Sequence, residues 1–166
     1  NPGTPYEPFV SLTEALIYIL STGDSNKDYT IHISGTQRGN FTIGSGLNDK
    51  MNTLTICGIP DTTDDILDGD ANNDGTGDGT VLSIETTKPV TIKKLKITNG
   101  NAVTTGKGGG INASAGTDVT IGAGALITGN NANYYGGGVY VKGYSGSEAN
   151  LTIENGAEIS ENTLTD

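Results

Sequence analysis

The segment GGGINASAGTDVTIGAGALITGN at 108–130 is answered by GGGVYVKGYSGSEANLTIENGAEISEN at 136–162. A self-similar unit of about thirty residues, built of short β-like runs between Gly/Asn turns, cannot bury its apolar face alone, so it folds by stacking on its own next copy. Matching the copies gives three beats. The first is Ile111 to Ala113 and Val139 to Val141, each behind a glycine triplet. The second is Val119-Thr120-Ile121 and Leu151-Thr152-Ile153, and the third runs through Ile127 to Asn130 and Ile159 to Asn162.

The same beats occur upstream as Val81 to Ile84, Val90-Thr91-Ile92 and Leu95 to Asn101. A weaker copy reads Tyr29 to Ile33, Phe41-Thr42-Ile43 and Leu54-Thr55-Ile56. The runs are too short for helices, and they alternate aliphatic with polar residues, so a period of two describes them. Three strands per turn, each turn displaced by about 4.8 Å, predict an all-β fold: a right-handed parallel β-helix of about four coils with an aliphatic bore. The rival, a sandwich of antiparallel hairpins, does not require a repeat that preserves strand order. Asn130 and Asn162 share a turn position, with Gly100 in the earlier copy. Stacked amides there can form a ladder, or Asn can serve simply because it tolerates left-handed turns.

Only VSLTEALIYILSTGD has helical spacing, with Leu12, Ala15, Leu16 and Ile19 on one face. Ser11 and Glu14 fit a capping box and Gly23 a C-terminal stop. Residues 1–28 therefore read as an N-terminal segment and capping helix, covering a strand edge that would otherwise invite association. Residues 29–166 read as the solenoid, with an acidic insertion at 61–80. The run ends just after a third-beat strand, from which the expectation is a fragment of a longer array, partnered by further coils of the same chain.

The 166 residues carry a formal charge of −10, and seven aspartates fall between 61 and 78, leaving nine cations against twelve carboxylates elsewhere. Such a balance, with Arg38 the only arginine, argues against nucleic acid as a partner. No apolar run is long enough to span a membrane. Cys57, the only cysteine, reads as a buried thiol.

Within the acidic stretch, Asp70-Ala71-Asn72-Asn73-Asp74-Gly75-Thr76-Gly77-Asp78 follows the first nine positions of an EF-hand-type loop. Side-chain oxygens of Asp70, Asn72, Asp74 and Asp78 and the Thr76 carbonyl suit a structural Ca²⁺ ion. Position twelve is Val81 instead of Glu, so Asp65, Asp68, Glu85 or water would complete the shell, at an affinity of about 10⁻⁴ to 10⁻³ M. The alternative is a solvated turn of Asp-Gly pairs.

The Gly109-Gly110-Ile111 and Gly137-Gly138-Val139 strands, the "TI" strands and the I-T/S-x-N turns resemble the repeats of bacterial surface β-helix proteins. They are closest in character to the chlamydial polymorphic outer membrane protein family and related spirochaete and clostridial surface proteins. This chain has Ile-Thr-Gly-Asn where that family has its F-x-x-N tetrapeptide. The resemblance implies an extracellular or cell-surface location and an adhesin-like passenger, and the scarcity of carboxylates on the repeating strands adds the expectation of a passenger or rigid stalk without catalysis or a small-molecule cofactor. A host or matrix glycan or protein would be its partner.

Four of the seven tyrosines, Tyr134, Tyr135, Tyr140 and Tyr144, lie within eleven residues, and such aromatic clusters mark recognition surfaces or shield a solenoid's side. The enzymatic alternative is a polysaccharide lyase or glycoside hydrolase, which needs carboxylates converging from adjacent turns. Glu154, Glu158 and Glu161 crowd the last turn; His32, the sole histidine, is expected to point outward, and Arg38 to be solvated in a Gly-rich turn. A lesser alternative is an ice-binding rank of Thr91, Thr120 and Thr152.

Overall fold

The computed structural model describes residues 8–59, 64–104, 106–114 and 116–165. Its chain winds through four stacks of parallel strands, a β-solenoid closed at its first turn by one helix. Sheet A holds β1 (Asp28–Ile33), β4 (Thr53–Gly58), β7 (Val90–Lys93), β11 (Val119–Ile121) and β15 (Leu151–Ile153). Sheet B follows around the coil, with β2 (Thr36–Arg38), β5 (Ile66–Asp68), β8 (Lys96–Thr98), β12 (Leu126–Thr128) and β16 (Glu158–Ser160). Sheet C is a narrow corner of β9 (Asn101–Ala102), β13 (Asn131–Ala132) and β17 (Thr163–Leu164). Sheet D comprises β3 (Phe41–Ile43), β6 (Leu82–Ile84), β10 (Ile111–Ala113) and β14 (Val139–Val141).

The third and fourth coils therefore have four strands per turn, not three, because the chain bends again after the Asn turn. The weak first copy also belongs to a different register. Tyr29 to Ile33 and Leu54 to Ile56 pair with each other in sheet A, so both are "TI" strands, while Phe41 to Ile43 stacks below Leu82 to Ile84 as a first-beat strand. Side-chain alternation then fills the bore. Ile31, Ile56, Ile92, Ile121 and Ile153 stand in one column of sheet A, and Leu67, Ile97, Ile127 and Ile159 in one column of sheet B. Ile56, Ile92, Ile121, Leu67, Ile97 and Ile127 are fully buried. Each such aliphatic side chain contributes about 1.5–3 kcal/mol of transfer free energy, the main source of stability in a fold with short strands.

Helix α1 (Leu12–Thr22) buries Leu12, Ala15, Leu16 and Ile19, the four positions its spacing singles out. Leu12, Leu16 and Ile19 join Ile33, Phe41, Ile43, Leu47 and Met51 in the same core, so the helix covers the first coil as expected. Ser11 Oγ accepts the Glu14 amide at 3.2 Å, and Glu14 Oε2 returns to the Val10 amide at 3.0 Å, one residue before the capping-box position. Gly23 stops the helix in extended backbone; a Cβ there would sit 2.3 Å from the Lys50 carbonyl. Among the described residues no helix is long and apolar enough to cross a membrane.

The glycine triplets have two separate causes. Gly108 and Gly136 adopt φ of +61° and +57°, the left-handed region that favours glycine. A Cβ on Gly109 or Gly137 would lie 2.2 or 2.1 Å from the carbonyl of Asn131 or Thr163, where sheet C closes onto sheet D.

The Asn turn position resolves as a ladder. Asn130 is buried; its Nδ2 donates to Asn162 Oδ1 at 2.9 Å and to the Ile97 and Thr128 carbonyls, and its Oδ1 accepts the Gly100 amide at 2.9 Å. The left-handed residues are the preceding Asn99, Gly129 and Glu161, so turn tolerance does not explain Asn130 and Asn162. A second ladder at the corner joins Asn131 Nδ2 to Asn101 Oδ1 at 3.1 Å and the Thr163 hydroxyl to Asn131 Oδ1 at 3.0 Å.

Candidate functional site

The acidic stretch divides into a structural half and a loop. Residues 60–63, Asp61 among them, lie outside the described residues, and Ile66–Asp68 is strand β5, so the insertion proper runs from Gly69 to Thr80. Asp65 and Asp68, expected as spare cation ligands, instead tie coils together. Asp65 accepts the Gly35 amide at 2.7 Å and the Ile59 amide at 2.6 Å. Asp68 Oδ2 meets Arg38 Nη1 at 2.6 Å, and its Oδ1 accepts from Asn99 Nδ2 and the Asp70 amide. Arg38 is thus an ion-paired strand residue, because the β2–β5 register sets it directly beside Asp68.

In the loop, Asp70 is buried and organises the turn. Its Oδ1 accepts the Asp74 amide at 3.0 Å and its Oδ2 the Gly75 amide at 2.8 Å. Asn72 Oδ1 accepts the same Asp74 amide at 3.0 Å, so oxygens of Asp70 and Asn72 converge there, while Asn72 Nδ2 reaches Asp74 Oδ2 at 3.0 Å. Asp74 Oδ1 accepts the Thr76 amide, and Asp78 Oδ2 the Ala71 amide. No group of three His, Cys, Asp or Glu residues gathers as a metal site among the described residues. Val81, at position twelve, is fully buried as the chain enters β6.

The outer face of sheet A carries a taller threonine column than its last three coils suggest. Thr30, Thr55, Thr91, Thr120 and Thr152 are in register over five strands. The column is one residue wide: two positions further along the strands, its flank passes through His32, Cys57, Lys93, Gly122 and Glu154. His32 is exposed, as expected, and Cys57 is a buried free thiol. At the column's other side the Thr53 hydroxyl and the Asn52 amide both donate to Asp28 Oδ1 at 2.8 Å and hold the Asp28 carboxyl below its usual range.

The tyrosines gather on sheet D. Tyr140 projects outward from β14, and its ring centroid lies 5.9 Å from that of Tyr135 at an interplanar angle of 32°. Lys107, bridged to Tyr135 across the coils, places its Nζ 5.8 Å from the Tyr135 ring and 5.6 Å from the Tyr140 ring. Lys142 follows Tyr140 by two residues and sits 5.0 Å over the ring of Tyr144, which closes a small turn with Ser147. Tyr134 is 69% exposed, with its ring laid where a Cβ of Gly106 would otherwise be. Beneath Tyr140 in the same column is Asn112, whose buried Oδ1 has no hydrogen-bond partner among the described residues. The lysines and Asn112 were not legible as site residues, since only the stacking of coils brings residues 107, 112 and 140 together.

These coils, ladders and displayed side chains define a parallel β-solenoid repeat protein. No protein-family model, curated protein or solved structure matches the chain significantly.

Proposed function

We propose that this chain is a non-enzymatic, adhesin-like passenger or rigid stalk segment displayed outside the cell, with the Tyr–Lys face of sheet D as its recognition surface. The observation that carries the reading is the Tyr135–Tyr140 pair with Lys107 against both rings, Tyr135 exposed and Tyr140 and Lys107 half-buried on the outer side of the coil. Aromatic faces stack on sugars or apolar protein surfaces while their hydroxyls hydrogen-bond, and rigid strands hold them without an ordering cost on binding. The Gly-Gly-Ile/Val strands support reading the chain as similar to the bacterial surface β-helix proteins.

Calcium is proposed as a structural ligand of the 70–78 loop. The support is the DxNxDG spacing together with the convergence of Asp70 and Asn72 oxygens at the Asp74 amide. Its effect would be to neutralise and stiffen the connection between β5 and β6.

The test is incubation with a panel of host and plant glycans and matrix proteins, with and without calcium, followed by mass spectrometry of retained and released material. Retention without shortened or unsaturated products supports an adhesin. Cleavage products overturn it in favour of a lyase or hydrolase. Neither retention nor cleavage removes the adhesin half and leaves the stalk.

A further inference from the structure

We propose that the ligand of the sheet D face is a carboxylated saccharide, a chain carrying uronic-acid-type residues; this rests on the adhesin reading and narrows it. Three unmet demands coincide there. The first is charge. On a protein of net charge −10, Lys107 and Lys142 are held over tyrosine rings, and neither ammonium has a carboxylate partner among the described residues. Ring faces attract ammonium groups but leave their outward N–H donors available for an anion.

The second demand is geometric. Lys142 follows Tyr140 by two residues, just past the end of β14, and its amide still bonds the Ala113 carbonyl of the neighbouring coil, so the extended backbone sets the two residues about 6.6 Å apart, roughly the width of one pyranose ring. An aromatic platform beside a cation at that distance fits a sugar whose ring C–H surface and acidic group are one residue's two ends.

The third demand is the Asn112 Oδ1. An orphan buried acceptor is costly to keep, and native structures rarely retain one without a use. Asn112 stands between Ser83 and Tyr140 in the outward column and is only half-buried as a residue, so a turn of its amide brings the acceptor from under its neighbours to an incoming hydroxyl. A neutral apolar peptide would answer none of the charge, and a simple anion would leave the rings and Asn112 unused.

The experiment uses hexasaccharides of hyaluronan, alginate and polygalacturonate, each beside its carboxyl-reduced counterpart, titrated calorimetrically against the full chain. At least one acidic hexamer is expected to bind about tenfold or more tightly than its reduced form, a difference on the scale of a carboxylate held by hydrogen bonds from both lysines. Lys107→Gln and Lys142→Gln should each erase most of that preference, with Lys88→Gln as control. Asn112→Leu should weaken binding while leaving the melting temperature unchanged or raised, which a merely structural asparagine would not do. Equal binding of acidic and reduced sugars overturns the inference while leaving the adhesin reading intact. No binding of any hexamer also overturns it, and the broader glycan and protein panel then decides the adhesin reading by itself.

Discussion

Asn130 donates through Nδ2 to Asn162 Oδ1 at 2.9 Å while its own Oδ1 takes the Gly100 amide, so one buried side chain serves three successive coils. The turn carbonyls of Ile97 and Thr128 are satisfied by the same amide group. Asn130→Ala strands the buried Gly100 amide and both carbonyls, and the expected loss is about 2–3 kcal/mol. In a domain of this size that lowers the melting temperature by about 5–10 °C. Asn162→Ala removes as many bonds, those to the Asn130 amide and side chain and to the Ile127 and Ser160 carbonyls, but Asn162 is only half-buried and water can replace them, so the variant should cost less. Calorimetric melting of both variants checks the order, and equal small losses would show that the ladder contributes little.

The Arg38–Asp68 pair sits on sheet B, with Arg38 39% and Asp68 8% exposed by side chain. Its two ends should respond unequally. Arg38→Ala leaves Asp68 with the Asn99 and Asp70 donors, and solvent reaches the vacated side, so a loss of about 1 kcal/mol is expected. Asp68→Ala leaves a cation unpaired and two donors without acceptors, a loss of about 2–3 kcal/mol. Urea denaturation of the two single variants and the double variant measures the coupling, and an Arg38→Ala effect larger than that of Asp68→Ala would contradict the hydrogen-bond pattern.

What the sequence displayed and what it hid follow from where the signal lies. The late coils were legible because each glycine triplet, "TI" strand and Asn turn answers a steric or hydrogen-bonding demand repeated at every stacked level, and the cap was legible from four apolar positions. The first coils were misregistered because Phe41 and Ile43 look like any "TI" strand, although their neighbour Leu82 places them on sheet D. Strand β5 was concealed among aspartates whose burial makes sense only once Arg38, thirty residues away, is beside Asp68. Two-residue strands such as Asn101–Ala102 are shorter than any alternation can reveal. The recognition face was half visible: the tyrosines cluster in sequence, but Lys107 and Asn112 join them only through coil stacking.

Asp28 gives the first coil a pH dependence of known sign. The Thr53 hydroxyl, and then the Asn52 amide, stabilise its carboxylate and lower its folded-state pKa. A depressed carboxylate contributes stability that is fully present above its unfolded pKa of about 3.9 and is lost as pH falls through the folded value. The β1–β4 junction should therefore weaken below about pH 4. Asp28→Asn, which keeps the shape, should be less stable than the parent at neutral pH and converge with it in acid. Parallel thermal melts between pH 7 and pH 3 test this, and a constant difference across the range would exclude Asp28 as its source.

Calcium provides a test of the acidic loop that does not depend on any partner. Asp70 already fixes the turn through the Asp74 and Gly75 amides, so an ion would act on a loop that is partly organised without it. With Val81 buried where a bidentate Glu would stand, affinity in the range of about 10⁻⁴ to 10⁻³ M is expected. At 10 mM calcium, ten to a hundred times such a Kd, linkage predicts a stabilisation of about 1.4–2.7 kcal/mol, visible as a rise of several degrees in melting temperature. Magnesium should do less, because its smaller octahedral shell demands a tighter set of oxygens. Asp74→Ala should remove the calcium response while leaving the ion-free melt nearly unchanged, since Asp74 is exposed and its carboxylate is bonded only within the loop. A melt indifferent to calcium in the parent chain would establish the 70–78 segment as a self-bonded turn of Asp and Gly residues, with Asp70 its organising centre.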